Sequence, residues 1–134
     1  MGVITAIDHI VLKSPDVEHS LEFYCGVLGL EAVRVDEWRN GKSRFPSIRV
    51  NGDTIIDIFP TDDPAGKSEG QHLDHYCLLV EANALDGLLE KVAAFGIEPG
   101  SKQFRWGARG RGESSYLVGP EGVTIELRHY PDGG

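Results

Sequence analysis

The sequence predicts an α+β fold made of two tandem βαβββ modules, which form a cupped mixed sheet with the helices outside. The first observation is an internal repeat, since His9 and His75 each open an apolar run of strand length. The second is that the same order of helical and strand patterns follows each run. Other landmarks recur at nearly the same offset, namely Gly29-Leu30-Glu31 as Gly96-Ile97-Glu98 and Thr54–Ile58 as Val123–Leu127.

The first module begins with a strand at about residues 5–13, in which side chains alternate between two faces. Ser14-Pro15-Asp16 then supplies an N-cap, a proline at the first helical position and an acid in the first turn. Apolar residues follow at helical spacing, and Gly29 ends the predicted helix. These apolar residues are Val17, Leu21, Tyr24 and Leu28.

Three strands complete the first module. The first spans residue 30 to about residue 38, and Asn40-Gly41 predicts a hairpin turn into the second, at residues 43–50. Asn51-Gly52 predicts another tight turn, which leads into the third strand at residues 53–60.

The second module repeats this order after a polar, turn-rich connector at residues 61–71. Asn83 is expected to cap a helix that ends at Gly96, and a basic, glycine-rich segment spans residues 105–112. The predicted strands span residues 72–80, 97–103, 113–118 and 122–129, and a turn at Pro120-Glu121-Gly122 joins the last two. The two modules thus cover about residues 5–60 and 72–130, and residues 1–134 form a single domain.

Composition and charge exclude several classes of protein. Of the 134 residues, 40% are hydrophobic and 25% are charged, which is typical of a globular protein. The formal charge of −8 argues against a nucleic-acid partner, because phosphate contacts need a basic face. Without a long apolar run or a signal-peptide pattern, we expect no membrane partner and a cytoplasmic location. Cys25 and Cys77 are expected to be buried, reduced thiols.

Side-chain alternation selects the polar residues that point into the predicted cup. In the last strand, Glu126 and Arg128 face away from the apolar residues that would pack on a helix. Asp57 takes the same face of the matching strand in the first module, and His9 and His75 enter the cup from the opening strands. Two imidazoles and two carboxylates together suit a divalent first-row metal ion. The other three histidines are expected to face solvent, and they are His19, His72 and His129.

The chain resembles the vicinal oxygen chelate superfamily, which includes glyoxalase I, extradiol dioxygenases, fosfomycin-resistance thiol transferases and bleomycin-binding proteins. The resemblance covers nearly the whole chain and includes a proline-acid-glycine turn before the last strand. The matching segments are Ile7–Leu12, Leu21–Tyr24, Val27–Leu30, Tyr116–Gly122 and Ile125–Leu127.

The resemblance implies a homodimer and one divalent metal ion (iron, nickel, zinc or manganese) held by His9, His75 and Glu126. Asp57 falls at the fourth ligand position, where glyoxalase-like enzymes usually carry glutamate or glutamine. Aspartate is shorter by one methylene, so it would bind the metal directly, bind it through water, or act as a general base beside it.

Several residues near these ligands are candidates for substrate binding or catalysis. Glu126 and Asp57 are candidate catalytic carboxylates, and Tyr116 lies on the predicted neighbouring strand, where the family often places an aromatic residue. The basic segment is predicted to be a loop, suited to clamping a carboxylate or phosphate through arginine, or alternatively to contacting a partner subunit. The candidate substrate-binding residues are Arg105, Trp106, Arg109, Arg111 and Phe59.

The predicted function is that of a metal-dependent, glyoxalase-like lyase or isomerase. Its small substrate would chelate the metal through vicinal oxygens. One alternative is an iron(II) extradiol-type dioxygenase that uses two histidines and one glutamate. Another is a metal-free drug-binding resistance protein. The sequence does not identify the substrate.

Overall fold

The computed structural model describes residue 3, residues 6–62, residue 73 and residues 75–131. The chain divides into two compact units, Met1–Lys67 and Ser68–Gly134. Each unit contains one four-stranded mixed sheet with helices, which confirms the predicted α+β class and the βαβββ modules. Most of the predicted connector at residues 61–71 lies outside the described residues, as do His72 and Asp74.

The sheet of unit 1 has the strand order β1-β4-β3-β2. Strand β1 pairs with β4 in parallel, and the other neighbouring strands pair antiparallel. The helices are α1 (Val17–Leu21), a π-helical segment (Glu22–Val27) and α2 (Val35–Arg39). The strands are β1 (His9–Ser14), β2 (Glu31–Val33), β3 (Ser47–Arg49) and β4 (Ile55–Pro60).

The core of unit 1 lies on the face of the sheet from which His9 and Asp57 point away. Leu12 on β1 and Ile56 and Ile58 on β4 are buried on the core face, as strand alternation predicts. The remaining members of this core are Val17, Leu21, Phe23, Tyr24 and Ile48.

The first helix differs from the predicted one at its N-cap and in its second half, whereas its end before Gly29, which adopts φ +78°, agrees with the prediction. Its N-cap is Asp16, whose Oδ1 accepts a hydrogen bond from the His19 amide at 3.0 Å, while Ser14 is the last residue of β1. The second half is a π-helix, in which the Leu28 amide donates to the Phe23 carbonyl oxygen at 3.0 Å. This wider turn changes the phase of the helix, so that the adjacent residues Phe23 and Tyr24 are both fully buried.

The predicted strand at residues 30–38 and its hairpin turn are wrong. Only Glu31–Val33 is extended, and Trp38 lies in α2. Asn40 caps the end of α2, and Gly41 adopts φ +78° while its amide donates to the Trp38 carbonyl oxygen at 3.0 Å. The Asn-Gly pair therefore ends a helix that has two acidic residues in its first turn, because the same pair suits a helix C-terminus and a hairpin.

Strand β3 is also shorter than the predicted strand at residues 43–50. The Ser43 hydroxyl donates to the Phe45 carbonyl oxygen at 2.7 Å, which forms a local turn, and Pro46 has no amide hydrogen to offer a neighbouring strand. The turn at Asn51-Gly52 is confirmed, because Asn51 Oδ1 accepts hydrogen bonds from the Asp53 and Thr54 amides at 2.8 and 2.9 Å.

Unit 2 repeats the topology of unit 1, with the strand order β5-β8-β7-β6 and a parallel pair β5–β8. Helix α3 (Leu85–Phe95) packs on its core face. The strands are β5 (His75–Leu79), β6 (Gln103–Gly107), β7 (Gly110–Val118) and β8 (Thr124–His129). Buried apolar residues of this unit are Leu85, Val92, Leu117, Ile125, Leu127 and Tyr130.

Helix α3 confirms its predicted end and corrects its predicted start. Gly96 caps the C-terminus with φ +107°, as expected. Asn83 is not the N-cap, since Ala84 occupies that position and Asn83 itself has φ +70°. A hydrogen bond from the Asn83 amide to His129 Nδ1 at 3.3 Å holds the chain in this left-handed turn instead.

The largest correction in unit 2 concerns residues 97–112. The predicted strand at residues 97–103 is not formed, and the basic segment is not a loop but most of the hairpin β6–β7. Aromatic and polar residues alternate along β6, which favours a strand over a loop. His129 and Cys77 also differ from prediction: His129 is buried and bonds to Glu113 at 2.8 Å, while Cys77 is exposed.

Candidate functional site

In unit 1, strand register places His9 and Asp57 on the same face of the sheet. His9 is the partner of Ile55, and Val11 is the partner of Asp57, in the parallel pair β1–β4. Partners across a sheet share a face, and so do residues two apart along one strand. His9 and Asp57 therefore point away from the helical core and form the first half-site.

Each side chain of the first half-site is oriented by a hydrogen bond to another residue. His9 Nδ1 lies 2.8 Å from Asp8 Oδ2, and this hydrogen bond raises the pKa of His9. Because Asp8 engages Nδ1, His9 presents Nε2 to a ligand, which is the usual arrangement of a metal-bound histidine. The Ser47 hydroxyl donates to Asp57 Oδ1 at 2.7 Å from the neighbouring strand, and Asp57 is buried.

Unit 2 repeats the same register with His75 and Glu126. His75 is the partner of Thr124, and Cys77 is the partner of Glu126, in the parallel pair β5–β8. Here the two side chains meet, because His75 Nε2 lies 3.1 Å from Glu126 Oε1. The His75 ring also packs edge-on against Tyr116, with 5.3 Å between ring centroids. These residues form the second half-site.

The other oxygen of Glu126 is fully engaged by neighbouring donors. Oε2 accepts a hydrogen bond from the Ser114 hydroxyl at 2.6 Å, and from Arg128 Nε and Nη2 at 3.2 and 2.9 Å. Burial opposes ionisation of the carboxyl group, but hydrogen bonding by Ser114, Arg128 and Tyr116 outweighs it and lowers the pKa of Glu126. The half-site thus holds a carboxylate that is ionised at neutral pH.

Arg128 is buried beside this carboxylate. Its Nη2 donates to the Trp106 carbonyl oxygen at 3.1 Å, and its Nη1 donates to the Tyr130 hydroxyl at 3.3 Å. Desolvation opposes the charged form, yet the bond to Glu126 prevails and raises the pKa of Arg128. Gly107 makes room for the guanidinium, because a Cβ at that position would lie 2.1 Å from Nη1.

The second half-site has the donor atoms and spacing that a divalent metal ion needs. Two ligand atoms that each lie about 2.0–2.2 Å from a metal ion, with a right angle at the metal, are roughly 3 Å from each other. This value agrees with the 3.1 Å between His75 Nε2 and Glu126 Oε1. Within residues 6–62 and 75–131, no three His, Cys, Asp or Glu side chains stand together as a ready-made metal cage. The candidate metal-binding residues therefore come in pairs, one pair in each unit.

A cavity of about 220 Å³ adjoins the second half-site within unit 2. Glu126 and Arg128 form part of its wall, and the apolar part comes from Leu79, Ala108 and Tyr130. Cys77 also lines it. Although the residue as a whole is exposed, partial desolvation of its sulfur, followed by the nearby Glu126 charge, raises the pKa of Cys77 to about 11. Arg109 lines this cavity too, and its amide donates to the Tyr130 hydroxyl at 3.1 Å.

The candidate substrate-binding residues do not all share one face. Arg105 is the partner of Gly112 and lies on the same face as Glu126, with its guanidinium bonded to Gln103 and Phe104. Trp106 and Arg111 are partners of each other on the alternate face, where Arg111 lies over the Phe104 ring at 5.9 Å. In unit 1, the Phe59 ring packs against Phe45 at 4.4 Å.

Sequence reasoning placed the histidines and carboxylates but missed the residues that orient them. These residues are Asp8, Ser47, Ser114, Arg128 and Tyr130. Strand alternation already put Arg128 on the face of Glu126, and an inward-facing arginine two residues after a carboxylate in the same strand was the available signal. Ser114 carried no such signal, because its role depends on the register of β7 with β8.

Comparisons with known proteins agree on the fold. The family model described as the Glyoxalase/Bleomycin resistance protein/Dioxygenase superfamily matches residues 6–127. The chain matches no curated protein sequence. Among the helices of the described residues, none has the length and apolar character needed to cross a membrane.

Three solved structures illustrate the likeness. A virulence protein from Salmonella typhimurium is 23% identical with a TM-score of 0.73, covering 96% of this chain and 99% of its own. A glyoxalase/dioxygenase from Nostoc punctiforme is 20% identical with a TM-score of 0.75, covering 98% and 99% respectively. The fosfomycin resistance protein FosX from Mesorhizobium loti is 19% identical with a TM-score of 0.70, covering 95% and 93%.

Proposed function

We propose a function from one premise: this chain belongs to the Glyoxalase/Bleomycin resistance protein/Dioxygenase superfamily. The proposal is a metal-dependent enzyme of the lyase or isomerase type, which acts on a small substrate that chelates the metal through vicinal oxygens. The observation that carries it is the 3.1 Å approach of His75 Nε2 to the ionised Glu126 carboxylate. A homodimer in the cytoplasm completes the proposal, as the family resemblance implies.

The proposed ligands are the histidine and the carboxylate of each unit. His75 and Glu126 supply one pair, and His9 and Asp57 supply the other. Support for treating the pairs as equivalent comes from their identical register, since each histidine pairs with the residue two positions before the carboxylate. When bound, the metal ion supplies Lewis-acid stabilisation of the negative charge that develops on the substrate oxygens.

Proton transfer is assigned to the carboxylates. In the glyoxalase-like reaction, one carboxylate takes a proton from a substrate carbon and returns it to the adjacent carbon. Glu126 and Asp57 are the candidates, and their hydroxyl donors, Ser114 and Ser47, keep each carboxylate oriented. Tyr116 lies across from Glu126 on β7 and its side chain hydrogen-bonds to that carboxylate, so Tyr116 is assigned to the catalytic group beside Glu126.

Substrate binding is assigned to the cavity beside Glu126. Arg105 and Arg109 bring positive charge to this part of unit 2, which favours a substrate carrying a carboxylate or phosphate. Phe59 offers an apolar surface in unit 1. Trp106 and Arg111 remain candidates for the rim of the site or for contact with a partner subunit.

One observation favours iron(II) dioxygenase chemistry as a second candidate. Asp57 is shorter than the glutamate of glyoxalase-like enzymes and is bonded to Ser47, which leaves two histidines and one glutamate as a three-ligand set. Such a set is typical of non-haem iron(II) oxygenases. Oxygen-dependent ring cleavage by the iron-loaded protein would select this candidate.

The first experiment is the metal content per chain of untagged protein purified without oxygen. We expect about one metal ion per chain in the wild type, and its loss in both His9→Ala and His75→Ala. His19→Ala is the matched control, because His19 is an exposed residue of helix α1 and its variant should keep the metal. Protein that holds no metal after each ion is added would contradict the proposal and favour a metal-free drug-binding protein.

A second experiment tests the catalytic assignment. Glu126→Gln keeps the shape of the side chain but removes its capacity to accept a proton, so turnover by the metal-loaded protein should be lost. Undiminished turnover in this variant would exclude Glu126 as the base.

A further inference from the structure

We infer that Arg128 is a positioning residue that holds Glu126 as a one-oxygen metal ligand, leaving Oε1 alone to face His75. The inference rests on the proposed function, because it concerns how the second half-site would bind its metal ion. It adds a residue that neither the family model nor the sequence motif singles out.

The hydrogen bonds of Glu126 divide its two oxygens into separate roles. Three donor atoms surround Oε2 within 3.2 Å, two of them from Arg128 and one from Ser114. A carboxylate oxygen has two lone pairs in the plane of the group, so these donors occupy the positions through which Oε2 would bind a metal. Oε1 instead faces the imidazole of His75 at 3.1 Å.

The guanidinium is itself fixed in place. It is only 4% exposed and is tied to the Trp106 carbonyl oxygen and the Tyr130 hydroxyl at 3.1 and 3.3 Å. Because Gly107 has no side chain, the guanidinium of Arg128 can occupy the space beside it. A buried arginine that left its carboxylate would be an uncompensated charge, so the pair stays together.

Unit 1 does not repeat this arginine clamp, in which Arg128 holds one oxygen of the Glu126 carboxylate. In unit 2, Arg128 pairs with Leu79 across β5–β8, and in unit 1 Phe59 pairs with Lys13 across β1–β4. Phe59 is therefore the residue of unit 1 that corresponds to Arg128. Asp57 is held by the Ser47 hydroxyl instead. The two half-sites therefore differ, and Glu126 is the carboxylate whose direction is fixed.

This difference has a chemical consequence. A carboxylate that binds through one oxygen occupies one coordination position, whereas a two-oxygen carboxylate occupies two. By keeping Oε2 away from the metal, Arg128 leaves a position open for the second oxygen of a chelating substrate. The positive guanidinium also repels the metal ion, so the clamp provides an open position at the expense of affinity.

The test uses Mn²⁺ and the variant Arg128→Met, which keeps an unbranched side chain but removes the charge and the donors. Free Mn²⁺ is measured by electron paramagnetic resonance, and the carboxylate stretching bands are measured by infrared spectroscopy on metal addition. We expect the variant to bind Mn²⁺ about tenfold more tightly or better. In the variant, the separation between the two carboxylate stretching bands should change from the value of a carboxylate that binds the metal through one oxygen to that of one that binds through both.

Tighter Mn²⁺ binding by Arg128→Met would show that Arg128 acts as a clamp. If Arg128 only supported the fold, its loss would weaken Mn²⁺ binding. If Arg128→Met fails to fold, Gly107→Ala tests the geometric part of the inference: displacing the guanidinium should change the carboxylate bands, while the retained charge makes any gain in affinity smaller. Arg39→Met is the matched control, because it removes an Arg–Glu pair on the helices of unit 1 and should leave both readouts unchanged.

The outcomes are distinguishable. Wild-type affinity and unchanged carboxylate bands in Arg128→Met would overturn the inference while leaving the proposed metal site intact. Weaker binding with unchanged bands would also overturn it, and would make Arg128 a supporting residue. A wild-type protein that binds no Mn²⁺ or any other divalent ion would overturn the proposed function, and the inference with it.

Discussion

Replacing Gly107 with alanine should destabilise the protein through a single methyl group. The new Cβ would lie 2.1 Å from Nη1 of Arg128, 2.6 Å from its Cζ and 2.8 Å from the Tyr130 hydroxyl. The glycine is not needed for its backbone angles, since Gly107 is not among the residues with positive φ. Steric conflict with Arg128 and Tyr130 is therefore the source of the expected destabilisation.

The size of the effect follows from how firmly Arg128 is held. An ordinary contact needs about 3.4 Å or more, so Nη1 must move by about 1 Å or more, which breaks hydrogen bonds of 2.9–3.3 Å. A hydrogen bond to a charged group contributes about 1.5–3 kcal/mol, and overpacking adds a similar cost. Because alanine also restricts the unfolded chain, we expect a net loss of about 2–4 kcal/mol in the free energy of unfolding.

Urea denaturation followed by circular dichroism measures this loss. Gly87→Ala is the matched control, because Gly87 lies in α3 and a Cβ there meets nothing within 4 Å. That substitution should stabilise the protein by about 0.5–1 kcal/mol through helix propensity. Equal free energies of unfolding for the two variants would refute the view that Arg128 is fixed against Gly107.

Substitutions at three further positions test other elements, each by urea denaturation. Gly96→Ala should cost at least about 1 kcal/mol because the helix cap has φ +107°, and a neutral result would contradict that cap. Asp16→Ala should cost about 1 kcal/mol by removing the N-cap of α1, while Asp16→Asn should keep most of the stability. The hydrogen bond from Arg39 lowers the pKa of Glu18, so this pair stabilises the fold above pH 4.5 and ceases to do so as pH falls through the lowered value. Glu18→Gln should thus cost under about 1 kcal/mol at pH 7 and nothing at pH 2, and a cost that grows in acid would exclude this assignment.

The sequence was sufficient to predict the module order and the faces of the central strands. Strand alternation is local, so Asp57 and Glu126 could be assigned to the face away from Ile56 and Ile125 without knowledge of distant residues. The repeat then supplied the equivalence of His9 with His75, which the register of the two parallel pairs reproduces.

The errors arose where one local pattern fits two structures. Asn40-Gly41 suits a hairpin as well as a helix end, and the β-forming residues before it favoured the strand, although Trp38 lies in a helix. Glycine and arginine at residues 105–112 indicated a loop, but they pair as a hairpin because Gly107 and Gly112 leave space for Arg128 and Tyr130. Such close approaches depend on tertiary contacts, which a single sequence does not display.

Parallel pairing of the first and last strands of each unit determines when the half-sites can form. His75 and Glu126 are 51 residues apart in the chain, so their contact closes a long loop and contributes to slow folding. During synthesis, β5 has no parallel partner until β8 has left the ribosome, and the same holds for β1 and β4. The histidine of each pair is therefore made first but reaches its carboxylate last, after its whole module has been synthesised.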